Sequence, residues 1–167
     1  MPPLRALAAV AALTICTGCS MTDEAPAPAA VVPVTVPCAE TEATPIADRP
    51  PVLAATTRPW FGQDDLWVGL PDYPPDAQGD ALVLRFPMVT LAQGAPTDER
   101  GAPVVTAERA DSAGEAPGRV GVYSRAYGTD ALSFWPVSVV FPDPGCWTVS
   151  GLLGTASLQF TVSVERP

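Results

Sequence analysis

Between residues 157 and 164 the chain alternates strictly. Leu158, Phe160, Val162 and Val164 are apolar, and Ser157, Gln159, Thr161 and Ser163 are polar. A period of two predicts a β-strand with one buried and one wet face. The same alternation places Leu66, Val68 and Leu70 on one face and Trp67 with Gly69 on the other. Further β-rich runs lie at 52–57, 81–86, 104–109, 119–126, 137–141 and 146–151, separated by clusters of Gly, Pro and Asp. No stretch carries a helical period. Seven or eight short strands with turns between them predict an all-β, antiparallel, immunoglobulin-like β-sandwich, with a closed barrel as its main rival.

One corner of that sandwich is written in residues 141–151, FPDPGCWTVSG. Pro142 and Pro144 end the preceding strand and fix φ, and Gly145 is free to take positive φ. Trp147 and Val149 then share one face of the next strand, while Cys146 and Thr148 take the other. An aromatic at such a place closes the corner joining two sheets. The indole N–H of Trp147 is available for the closing hydrogen bond.

The pattern upstream is of another kind. Arg5 precedes an apolar run from Ala6 to Ile15. That run suits the core of a signal peptide and is too short for a comfortable membrane span. It ends in a lipobox-like TGC, with Cys19 as the residue to be lipidated; Cys16, preceded by bulky Ile15, fits less well. Position −3 from Cys19 is Cys16 itself, where a lipobox usually has an aliphatic residue. Residues 20–37 are rich in Pro and Ala, hold no aromatic residue, and predict an extended, disordered tether. The expected organisation is therefore a leader at 1–19, a tether at 20–37 and one domain at 38–167. The domain would be held to the extracytoplasmic face of the cell membrane through a diacylglyceryl-cysteine in the lipid bilayer.

Charge narrows the partners. The formal net charge is −9, all 9 basic residues being Arg, and the chain has no His and no Lys. Nucleic acid is excluded as an expected partner, because phosphates need a basic face. Without His or Lys, the chain can form no Ser–His, Cys–His or Ser–Lys nucleophile pair and no zinc site with imidazole ligands. Beyond the leader only Cys38 and Cys146 remain, and in an exported protein such a pair predicts a disulfide. It would tie the start of the domain to its penultimate strand.

Two groups of side chains are left as candidates for function. Asp64 and Asp65 fall in a predicted turn, and Asp72, Asp76 and Asp80 in the loop PDYPPDAQGD. A carboxylate pair could serve acid–base chemistry or bind Ca²⁺, although the loop spacing misses the EF-hand pattern. Trp60, Phe61, Trp67 and Tyr73 cluster nearby. On an exposed face they could stack on a ligand. Alternation points to Trp67 as the best contact residue, with Trp60 and Tyr73 beside it, and Trp135 raises the same question further on.

Four stretches together carry a resemblance: Pro37-Cys38, WFGQDDLWVGLP at 60–71, FPDPGCWTV at 141–149, and ASLQF at 156–160. In these the chain resembles a group of small Gram-positive bacterial lipoproteins of unassigned function. The resemblance implies an exported immunoglobulin-like domain with the Cys38–Cys146 disulfide, and it carries over no catalytic residue. The functional expectation is a non-enzymatic binding or interaction role at the cell envelope, toward an envelope protein or a cell-wall ligand, with no cofactor and no metal. The alternatives are a carboxylate-based hydrolase or Ca²⁺-dependent module using the Asp64–Asp80 region, and a structural part of an envelope complex.

Overall fold

The computed structural model describes residues 37–125 and 132–167. The expected leader, Cys16, Cys19 and the tether as far as residue 36 lie outside the described residues. The rest is all-β. Eleven strands are described: β1 (Trp60–Gln63), β2 (Leu66–Gly69), β3 (Asp76–Gln78), β4 (Ala81–Ala92), β5 (Ala95–Pro96), β6 (Val104–Arg109), β7 (Glu115–Val120), β8 (Ser124–Arg125), β9 (Ser133–Phe141), β10 (Gly145–Leu153) and β11 (Ala156–Val164). The main path runs β1-β2-β4-β9-β7-β6-β10-β11, and every pairing is antiparallel.

Strand β7 is the joint between two layers. Its last residues, 118–120, pair with β9, and its first, 115–117, pair with β6. The sheet therefore folds over at β7 and packs against itself as two layers, the sandwich-like antiparallel architecture that the sequence pattern predicts. Alternate residues of each layer point inward: Leu84, Phe86, Val137 and Val139 from one, Trp147, Val149, Leu158 and Phe160 from the other. Phe86 and Phe160 meet edge to face across the core, with ring centroids 5.4 Å apart, the arrangement aromatic quadrupoles favour.

The segment before β1 spans the two outer edges. Thr41 N donates to Thr161 O at 3.0 Å on β11, and Thr44 N donates to Trp60 O at 2.8 Å on β1. Back-donation from Thr161 N to Thr41 Oγ1 and from Ser163 N to Glu40 Oε1 completes the strap. Backbone groups that would template pairing with another chain are thereby occupied. The strap is pinned at its start by the Cys38–Cys146 disulfide, whose Cα atoms are 5.4 Å apart.

The corner at 141–147 is as its residues suggest. Strand β9 ends at Phe141, β10 begins at Gly145, and the chain crosses from one layer to the other between them. Trp147 Nε1 donates to Asp143 O at 3.3 Å, and the Trp147 ring packs 5.0 Å from Phe141. Gly145 has φ 152°. A Cβ there would stand 2.7 Å from Nη2 of Arg109, so glycine also lets that guanidinium lie 5.9 Å from the centre of the Trp147 ring.

Three expectations are corrected. The strand count is eleven among the described residues, beyond the seven or eight predicted, because β3, β5 and β8 are only two or three residues long and β1 carries no alternation of its own. Residues 52–57 form no strand. Pro51–Ala54 is a single α-helical turn, which Pro50 and Pro51 start by presetting φ, and Thr56 Oγ1 caps it by donating to Leu53 O at 2.9 Å. The run at 119–126 is divided over its described residues, since β7 stops at Val120 and Ser124–Arg125 forms a separate pairing with β9.

Candidate functional site

Strands β1 and β2 form a hairpin in which each tryptophan faces a glycine. Trp60 lies opposite Gly69, and Trp67 lies opposite Gly62. The two-residue turn is Asp64-Asp65, with Asp64 at φ 49°. Trp67 Nε1 donates to Asp64 O at 3.0 Å, and Trp60 Nε1 to Thr56 Oγ1 at 2.7 Å. Both rings are on the face away from the main core, as the alternation of Leu66, Val68 and Leu70 requires, yet they are only 2% and 3% exposed. The helical turn at 51–54 folds over that face, and Leu53 joins Trp60, Trp67, Val89, Leu91 and Leu132 in a second small core. Trp67 is therefore a core residue and no surface contact residue. Trp135 is buried too, its Nε1 donating to Thr90 Oγ1 at 3.1 Å. Phe61 is half-buried against the main core, and Tyr73, 43% exposed, remains at the surface.

Beyond the rim of this second core, the outer face of β4, β9 and β7 is open. It forms a groove of about 620 Å³ whose walls include Thr56, Trp60, Leu132 and Phe134 on one side and Tyr73 on another. The register sets its floor in rows. Arg85, Ser138 and Arg119 stand side by side on three neighbouring strands. In the next row Pro87 faces Pro136, and Gly121 N donates to Pro136 O at 2.7 Å. Proline in a central strand removes a ladder donor and is rare there. Here two prolines on adjacent strands make a stiff apolar platform beside the arginine row.

A third arginine reaches the groove because Gly69 has no side chain. A Cβ at Gly69 would stand 2.4 Å from Cδ of Arg58 and 2.8 Å from Cγ of Pro87. The Arg58 stem thus lies across the sheet, with Nη1 3.8 Å from Asp72 Oδ1 and without a hydrogen-bond partner among the described residues. Arg85 Nη1 pairs with Asp76, and the Tyr73 hydroxyl donates to Arg85 O. Among the described residues Arg119 has no carboxylate within ion-pair distance.

The carboxylates that sequence reasoning singled out do not converge. Asp64 is exposed at the hairpin turn, Asp65 Oδ2 is 2.5 Å from Arg100 Nη1, and Asp72 and Asp76 face separate arginines. Asp80 is exposed, and its carbonyl accepts from Arg166. Among the described residues no three of His, Cys, Asp or Glu stand close enough to hold a metal ion. The arginines of the groove were missed from sequence. One signal was available: Arg85 is the lone charge in the apolar run 81–89.

Burial pushes the Tyr73 phenol above its usual value of 10.0, with Arg58 pulling the other way. The neutral hydroxyl is therefore the form the fold favours. Its contribution is complete below pH 10 and fades as pH rises through the raised folded value. In an alkaline titration, the phenolate absorbance that Tyr73→Phe removes is expected to develop above pH 10. Development at or below the value for free tyrosine would mean that the wall at Tyr73 is looser than described. Comparison of the chain with family models, with curated proteins and with solved structures finds no match.

Proposed function

We propose that the chain is an exported protein, anchored to the membrane through lipidated Cys19, whose domain serves as a non-enzymatic ligand-binding module on the extracytoplasmic face. The observation that carries the binding role is the groove on the outer face of β4, β9 and β7. Its volume suits a small molecule, and it combines an apolar floor with a few convergent polar groups, the usual make-up of a ligand site. The acidic side chains that a hydrolase or a Ca²⁺-dependent module would use are turned to separate arginines or to solvent. Export is supported by the leader pattern and by the Cys38–Cys146 disulfide, a bond that persists in oxidising compartments.

The anchor has a direct test. In cells expressing the full chain, the parent protein is expected in the membrane fraction and in the detergent phase on phase partitioning. Cys19→Ala should move it to the medium. Retention of Cys19→Ala in the membrane would refute the lipid anchor, and recovery of the parent protein from the cytoplasm would refute export.

A further inference from the structure

We infer that the groove takes a small amphiphile, with an oxyanion head seated on the Arg85–Ser138–Arg119 row and an apolar body lying on Pro87, Pro136 and Phe134. The inference rests on the binding role proposed above and names the class of ligand. Neighbouring strands lie about 4.8 Å apart, so Arg85 and Arg119 stand roughly 10 Å apart at Cα with the Ser138 hydroxyl between them. Two guanidinium forks and a hydroxyl in one line match the oxygens of a carboxylate or a phosphate. Arg85 is held in place by Asp76. Arg119, exposed and without a carboxylate partner among the described residues, is left to meet the ligand.

Charge sets the size of that ligand. Three of the 9 arginines line this one groove of a chain whose net charge is −9. A polyanion would be repelled by the rest of the surface, whereas a small monoanion feels mainly the groups within a Debye length of about 8–10 Å, where Asp72 and Asp76 offset Arg58 and Arg85 and leave Arg119 as the positive charge in excess. The next rows explain the body. The proline pair and Phe134 continue from the arginine row toward the second core, so head and tail are read on successive rows of one sheet face.

The probe is 8-anilinonaphthalene-1-sulfonate, an aromatic body with an oxyanion head, titrated by fluorescence into the full-length protein. Its neutral counterpart is N-phenyl-1-naphthylamine, which has the same body and no sulfonate. Arg119→Ala is expected to weaken the sulfonate by about tenfold or more and to leave the neutral probe unchanged. Arg119→Lys should restore part of the loss, and Arg119→Glu should deepen it. All three sit at an exposed strand position, and unchanged melting temperatures would confirm intact folds. Decanoate and decyl phosphate should displace the sulfonate, and the stronger of the two identifies the head. Decyltrimethylammonium should not displace it. The inference is overturned if Arg119→Ala leaves sulfonate affinity unchanged, if it weakens both probes equally, or if the cationic competitor displaces as well as the anions. Those results would leave the anchored binding role standing, because the fate of Cys19→Ala decides that separately.

Discussion

Replacing Trp147 by alanine is expected to remove about 3–5 kcal/mol of folding stability, the range for deleting a fully buried aromatic side chain. Trp147 is 0% exposed. Its ring packs on Phe141 and lies under the Arg109 guanidinium, whose carbon is 5.9 Å from the ring centre. Its N–H closes the turn that takes the chain from one layer to the other. Three separate contributions therefore end with one substitution. Domains of this size are stable by only about 5–15 kcal/mol in all, so the variant would sit near its unfolding threshold at room temperature. Trp147→Phe separates the parts. It keeps a ring against Phe141 but leaves the Asp143 carbonyl without its donor, and should cost about 1–3 kcal/mol. Urea denaturation followed by circular dichroism measures both. Equal losses for the two variants would mean that ring volume contributes little and that the corner is held by other groups.

The same corner shows how far the sequence could be read. Pro142, Pro144, Gly145 and the alternation of Trp147 with Val149 are local features, and local features were enough to place the turn, the buried face and the closing hydrogen bond. The strand pattern of β6, β10 and β11 was legible for the same reason, since each has one wet face. Strand β2 was not. Its two faces are both covered, one by the main core and the other by the helical turn at 51–54. An alternation of two hydrophobic classes cannot tell a covered outer face from an exposed one, so Trp67 read as a surface residue. Two consecutive prolines before Val52 were the cue that the covering segment starts as a helix, and the β-branched residues around it concealed that cue.

The groove lay further out of reach. Arg85 and Arg119 are brought together by Ser138, which belongs to β9, a strand that follows both in sequence. Pairings between non-consecutive strands leave no periodic trace in the chain. Arg58 depends on the absence of a side chain at Gly69, and the hairpin register that puts Gly69 there becomes plain only when Trp60 is seen opposite it. The acidic residues were conspicuous in sequence because they are numerous. The arginines are few, yet three of the 9 line the groove.

Removing the disulfide with the double substitution Cys38→Ser, Cys146→Ser is expected to cost up to about 4–5 kcal/mol, the chain-entropy figure for a loop of roughly 100 residues. The sequence separation is 108, so the bond restricts nearly the whole domain in the unfolded state. A second consequence follows from where it sits. Cys38 begins the strap that spans β11 and β1, and beyond the disulfide the strap is held by hydrogen bonds from the amides of Thr41, Thr44, Thr161 and Ser163, by Arg49 on the Thr44 carbonyl and by Ala43 against the core. With the pin gone, these should open locally before the core does. Amide hydrogen exchange is expected to show lost protection at Thr41, Thr44, Thr161 and Ser163, while the inward-facing positions of β4 and β9 weaken only with the global transition. The freed edges of β1 and β11 should also make the variant self-associate as concentration rises. The Trp147 corner makes the comparison sharper, because Cys146 precedes it directly: Cys38→Ser alone leaves the corner's residues unchanged and should reproduce most of the loss. A double variant as stable as the parent, with protection at Thr41 and Thr161 retained, would show that the strap holds the sheet edges without its pin.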